Sequence, residues 1–147
     1  PHIGGSLAFR SKGNSQEIHA VVGTRKKEDA GVYHLRSVDR GKNWDAPTKL
    51  GDESATHADL AVNKNASLAA VWDMIDPEAK DGSLAIYVAI SPTGIKWAEP
   101  IRLSAKGFSA SHPRIIPTSL GFLALWTEQS SDGVFHLQMK RIGATRS

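Results

Sequence analysis

An all-β fold built from about three repeated units is predicted for this chain, and three observations predict it. Gly41, Trp44, Pro47 and Leu50 recur as Gly94, Trp97, Pro100 and Leu103, each displaced by 53 positions. His2, His57 and His112 follow one another at intervals of 55, and Trp72 and Trp126 lie 54 apart. Between these landmarks run short β-rich segments separated by turn signals such as Asp81-Gly82 and Asp132-Gly133, with no sustained helical period. A period of about 50 residues is what one four-stranded blade and its loops require, so the expected architecture is a partial β-propeller of about three four-stranded blades.

The first unit, spanning approximately 1–51, has strands expected at 2–9, 17–24 and 32–37. The second, 52–104, has them at 57–62, 67–74 and 83–90, with a short fourth strand near 100–103. The third, 105–147, has them at 112–117, 121–128 and 134–140 and stops short of a fourth. The 68–72 run is rich in alanine, but its length and its counterpart at 122–126 mark a strand packed on both faces.

The turn after the third strand carries the most specific pattern. Ser37-Val38-Asp39-Arg40-Gly41-Lys42-Asn43-Trp44 fits S-x-D-x-G-x-x-W. Gly41 supplies the positive φ of a tight hairpin turn, Asp39 and Ser37 accept hydrogen bonds from turn amides, and Trp44 is expected to turn inward as a buried plug. Ser91-Pro92-Thr93-Gly94-Ile95-Lys96-Trp97 is a second copy, one residue shorter before the glycine, with Thr93 in place of the aspartate and Trp97 also expected inside. In the third unit Gly143 falls at the repeat position, but Met139 and Arg141 replace the serine and aspartate. The pattern resembles the Asp-box (BNR) signature of sialidase-like β-propellers. That resemblance implies a fold and leaves the activity open.

The resemblance also implies that the inner strand of each blade begins on the face opposite the Asp-boxes, and that this face carries the ligand site. His2, His57 and His112 then lie at the mouth of a central channel, with Gly4, Asp59 and Arg114 two residues further along and on the same side by period-2 alternation. Loops between second and third strands border this face and bring Arg25, Asp73, Asp76, Glu78, Glu128 and Asp132 to it. Asp59, Arg114, Asp76 and Glu128 are the ligand-binding candidates. Three imidazoles from repeated strands suit Zn²⁺ or Cu²⁺ and leave a position open, with Asp59 expected to fix a tautomer; the alternative is three histidines that hydrogen-bond the preceding loop. His19, His34 and His136 lack the repeat and read as strand-face residues.

A sialidase-type glycoside hydrolase needs an arginine cluster for the substrate carboxylate, a tyrosine nucleophile activated by glutamate and an acidic acid/base residue. The Arg-Ile-Pro opening of such enzymes is absent; Arg114-Ile115-Ile116-Pro117 only approximates it, and Tyr33 and Tyr87 occupy equivalent third-strand positions that suit packing. Trp72 and Trp126 are aromatic candidates for stacking on sugars, but their repetition suits packing between sheets. No catalytic residue is assigned.

Composition narrows the partners. A chain of 147 residues with 40% hydrophobic and 22% charged residues is long enough to bury a core. The net charge is +3, but the cluster Arg25-Lys26-Lys27 is followed at once by Glu28 and Asp29, so no nucleic-acid partner is expected. The longest apolar runs, 68–72 and 84–90, fall far below the roughly 18 to 20 residues of a helical membrane span. The absence of cysteine excludes disulfides and thiolate metal sites. The expected location is extracytoplasmic, periplasmic or secreted. The start at Pro1, with neither methionine nor a signal-like region, is read as a processed chain or a piece of a longer one.

Propellers close with about 4 to 8 blades, so the remaining blades are expected in the same precursor or in a partner chain, two copies forming a six-bladed ring being the simplest symmetric version. The open ends are expected to expose residues such as Leu60, Val62 and Ile115. The expected role is a glycan- or ligand-binding or scaffolding module of a larger assembly. The alternatives are a hydrolase completed by other blades and a metal-binding propeller.

Overall fold

A computed structural model describes residues 4–143 and arranges eleven strands in three antiparallel sheets, with no helix among the described residues. The first blade comprises β1 (Ser6–Lys12), β2 (Ser15–Thr24), β3 (Gly31–Ser37) and β4 (Thr48–Gly51). The second comprises β5 (Thr56–Val62), β6 (Leu68–Ile75), β7 (Leu84–Ser91) and β8 (Ile101–Arg102). The third has β9 (Ser109–Thr118), β10 (Gly121–Gln129) and β11 (Phe135–Ile142). Strands pair with their neighbours in chain order. β4 is a strand beyond those expected in the first unit, and β1 begins at Ser6 where a start at His2 was expected.

Alternation explains how the sheets stack. Val21 and Val32 of the first blade pack with Leu60, Leu68, Ala70 and Trp72 of the second. The opposite face of the second blade, through Val71, Ile86 and Val88, meets Ile115, Phe122, Ala124 and Trp126 of the third. A central blade covered on both faces needs near-continuous apolar strands, which is why β6 reads Leu68-Ala69-Ala70-Val71-Trp72, all buried. Trp72 and Trp126 are interblade packing and present no face to a ligand.

Among the described residues nothing covers the outer faces of the two end sheets. By strand register these carry Leu7, Phe9 and Val22 on the first blade, and Ile116, Phe135, Leu137 and Met139 on the third. Leu60, Val62 and Ile115, expected on open ends, instead lie in the two interfaces: Leu60 and Val62 belong to the central blade, covered on both faces, and Ile115 points to the inner face of the third.

The turns of the first two blades share one hydrogen-bond scheme. Ser37 Oγ accepts the Gly41 N–H at 2.8 Å and Asp39 Oδ1 accepts the Asn43 N–H at 2.8 Å. In the second copy Ser91 Oγ accepts the Gly94 N–H at 2.9 Å, and Thr93 Oγ1 takes the place of the carboxylate for Ile95 N–H at 3.2 Å. The extra residue of the first copy is Arg40, which adopts a left-handed φ of 64° beside Gly41 at 82°. The tryptophans differ. Trp97 is half-buried against the first blade, but Trp44, expected inside, is 41% exposed. The reason is geometric: Trp97 rests on His34 of the preceding blade, and no such surface faces Trp44 among the described residues.

A buried polar chain joins the first two blades, where strand-face histidines were expected. Trp97 Nε1–H donates to His34 Nδ1 at 3.1 Å, so a neutral His34 carries its proton on Nε2 and donates it to His19 Nδ1 at 2.8 Å. His19 in turn donates Nε2–H to Glu17 at 2.9 Å. Arg10 and Arg36 also hold Glu17, at 3.1 and 2.9 Å. Burial alone would raise the Glu17 carboxyl, but hydrogen bonds from Arg36 and His19 and the two arginine charges bring it down to about 2. Burial pushes His34 down to about 4, helped by the charges of His19 and Arg36 against Asp45. Burial also lowers His19, opposed by its bond to Glu17. Both rings are therefore neutral links.

Candidate functional site

Antiparallel pairing in chain order puts the starts of β1, β5 and β9 at one end, together with the β2–β3, β6–β7 and β10–β11 loops. The Ser37–Trp44 and Ser91–Trp97 turns lie at the other. At the first end, Gly4, Gly5, His57, Ala58, His112, Pro113 and Arg114 line a pocket of about 160 Å³. His57 also lines a broader groove of about 760 Å³ whose rim includes Arg25, Ser54 and Leu84.

The same irregularity presents both histidines. The β5–β6 register shifts between Thr56 and Asp59, and the β9–β10 register shifts between Ser111, opposite Thr127, and Arg114, opposite Leu125. One extra residue therefore bulges from each inner strand. His57 and His112 sit in these bulges with left-handed φ of 31° and 55°, a conformation that is uncommon for residues other than glycine. Their rings come together across the blade boundary, centroids 4.0 Å apart and planes tilted by 31°.

Beneath them lies Asp73 of β6, fully buried. Its Oδ2 accepts His57 Nδ1–H at 2.8 Å and the His112 backbone N–H at 2.9 Å, and its Oδ1 accepts the Thr56 hydroxyl at 2.5 Å. The Thr56 proton is thus used and His57 must donate from Nδ1; in the neutral ring Nε2 then carries a lone pair with no partner among the described residues. His112 Nδ1 lies 3.0 Å from Ser111 Oγ. Asp73 does for His57 what was expected of Asp59. The bulge turns Asp59 to the face shared with Val71, where its Oδ2 accepts the Ile115 N–H at 2.9 Å. Strict alternation, which would put Asp59 beside His57, fails here. Arg114 is largely exposed, its Nη1 4.0 Å from Asp59 Oδ1.

The other candidates lie apart from this pocket. Asp76 lines a separate depression of about 400 Å³ with Glu78, Lys80 and Lys106. Its carboxylate is bound by Arg102 at 2.7 Å and the Glu78 N–H at 3.0 Å. Burial would raise it, but these partners hold it below the usual carboxylate range. Glu128 is buried and accepts Trp126 Nε1–H at 2.9 Å, a packing role. His2 lies outside the described residues.

Solved structures share this fold over part of their length. The chain is similar to Hadza microbial sialidase Hz136, with a TM-score of 0.65 at 14% identity over 92% of this chain and 34% of that one. It is similar to a GH62 hydrolase solved in complex with xylotriose, with a TM-score of 0.58 at 10% identity over 92% of this chain and 54% of that one. It is also similar to an endo-arabinase from Bacteroides thetaiotaomicron VPI-5482, with a TM-score of 0.55 at 18% identity over 96% of this chain and 56% of that one. Likeness at these identities establishes the fold, a partial β-propeller. The chain spans between about a third and just over half of the length of these structures. No protein-family model and no curated protein matches the chain. Among the described residues no helix is long and apolar enough to cross a membrane.

Proposed function

We propose that this chain is a sialidase-like, Asp-box-bearing segment of a larger extracytoplasmic propeller, with blades at about 1–51, 52–104 and 105–147, and that it acts as a glycan-binding module. The observation that carries this reading is the pocket at the blade boundary, where two bulge-presented imidazoles and an exposed guanidinium converge on one opening. Preformed concave sites with a few convergent polar groups suit small-ligand recognition, and an exposed arginine fork suits a carboxylate. The chain's tryptophans at 72 and 126 are spent on packing, so recognition runs through polar contacts and favours an acidic sugar over a neutral one. Hydrolysis is not part of the proposal: the pocket lining contains one arginine and neither tyrosine nor glutamate, and catalysis of the sialidase type would draw those groups from further blades.

The uncovered faces of the first and third blades support further blades on both sides, supplied by the same polypeptide or a partner chain. NMR titration of the chain with a sialic-acid-bearing trisaccharide and with lactose tests the binding reading. Shifts confined to residues around His57, His112 and Arg114, larger for the acidic sugar and reduced in Arg114→Ala, are expected. Equal response to both sugars, or shifts centred on the Ser37–Trp44 end, would refute it.

A further inference from the structure

We propose that His57 and His112 together bind a divalent transition-metal ion of the zinc–copper group, with Asp73 as the residue that positions His57. The proposal rests on reading the pocket at the blade boundary as a binding site, but its test uses no sugar, so either can fail alone. One ring nitrogen of each histidine and one carboxylate oxygen of Asp73 lie within 4.8 Å of one another. Donor atoms around a tetrahedral ion with bonds of about 2.0 to 2.1 Å stand about 3.3 Å apart. The His112 ring is exposed, its Nδ1 beside Ser111 Oγ at 3.0 Å, so rotation of this side chain is the movement that brings its Nε2 toward His57 Nε2.

The surroundings are built for a ligating imidazole. A histidine that binds metal through one nitrogen usually donates its other N–H to a carboxylate, which fixes the tautomer and strengthens the donor. His57 makes this bond to Asp73, and Thr56 and the His112 amide hold the same carboxylate in place. Asp73 thereby locks the second histidine's backbone as well as the first histidine's ring. Both bulges carry the left-handed strain described above, the kind of backbone strain that collects at functional sites. Neutral imidazole nitrogens select zinc and copper over calcium and magnesium, and two imidazoles leave open positions for water or an acidic ligand.

The chain, stripped with EDTA and dialysed, would be titrated with ZnCl₂ against a chromophoric chelator, and the Co²⁺-loaded form examined by visible absorption. One ion per chain is expected, with a Co²⁺ spectrum showing nitrogen ligation. His57→Gln and His112→Gln should each weaken Zn²⁺ binding at least tenfold, Asp73→Asn about 10- to 100-fold, and the exposed His136→Ala on β11 not at all. Circular dichroism melts identify any variant that fails to fold, and His112→Gln, which alters an exposed ring, decides the matter if Asp73→Asn unfolds. Absence of stoichiometric Zn²⁺ in the wild-type chain would overturn the proposal, as would full affinity in the His57→Gln/His112→Gln double variant.

Discussion

Acid should loosen the first blade from the second, and the effect should run through His34. In the fold His34 accepts from Trp97 on one nitrogen and donates to His19 on the other, so a second proton has no acceptor. Its value falls to about 4, against 6.5 in the unfolded chain. As pH drops, the unfolded chain takes the proton first. The stability that depends on neutral His34 is therefore complete above about pH 6.5 and declines as pH falls toward 4. A difference of about 2.5 pH units at 1.36 kcal/mol each makes the full loss about 3 kcal/mol. His19 shifts in the same direction and steepens the decline. Glu17, held at about 2 against 4.5, extends it further: its contribution is present above 4.5 and lost as pH falls toward 2. Arg10, Arg36 and Asp45 are the other charged groups of this network. Urea denaturation at pH 7.5 and 4.5 measures the loss, and His34→Gln, which cannot titrate, should remove most of the difference. A wild-type chain equally stable at both values, or a variant with an unchanged pH slope, would refute the reasoning.

Two further substitution pairs follow from the packing. Gly94 and Gly82 share a φ of +76°, but a Cβ on Gly94 would stand 2.6 Å from His19 Cε1 whereas one on Gly82 meets nothing within 4 Å. Gly82→Ala should cost only the left-handed penalty of about 1 to 2 kcal/mol, and Gly94→Ala measurably more by thermal denaturation. Trp126→Phe removes the donor to the buried Glu128 carboxylate and should cost about 1 to 3 kcal/mol. Trp72→Phe should cost less, because Trp72 Nε1 is buried with no hydrogen-bond partner among the described residues; equal losses in urea melts would contradict both assignments.

The repeat arithmetic located both inner-strand histidines because repeated blades place equivalent residues at equivalent heights. Alternation then failed immediately beside them, since the bulges at His57 and His112 add a residue that no composition rule reveals. Asp73 did not stand out because its repeat partner is Thr127, which is not acidic; its importance comes from pairing opposite Thr56 across the sheet. The Glu17–His19–His34–Trp97 chain was illegible for a related reason: none of its members but Trp97 repeats, and the contact forms only when one blade's turn settles on the next. Trp44 shows the converse, a residue whose pattern promises burial but which meets no covering blade among the described residues.

Uncovered outer sheets are the feature on which the reading as a propeller segment depends. Analytical ultracentrifugation of the chain from low to high micromolar concentration tests them directly. The exposed Phe9, Phe135, Leu137 and Met139 faces predict concentration-dependent association, with two-copy species the first to appear. Replacing Leu137 and Met139 by lysine should shift the population toward monomer. A single monodisperse species of 15.8 kDa across the whole range, unchanged by those substitutions, would contradict the account.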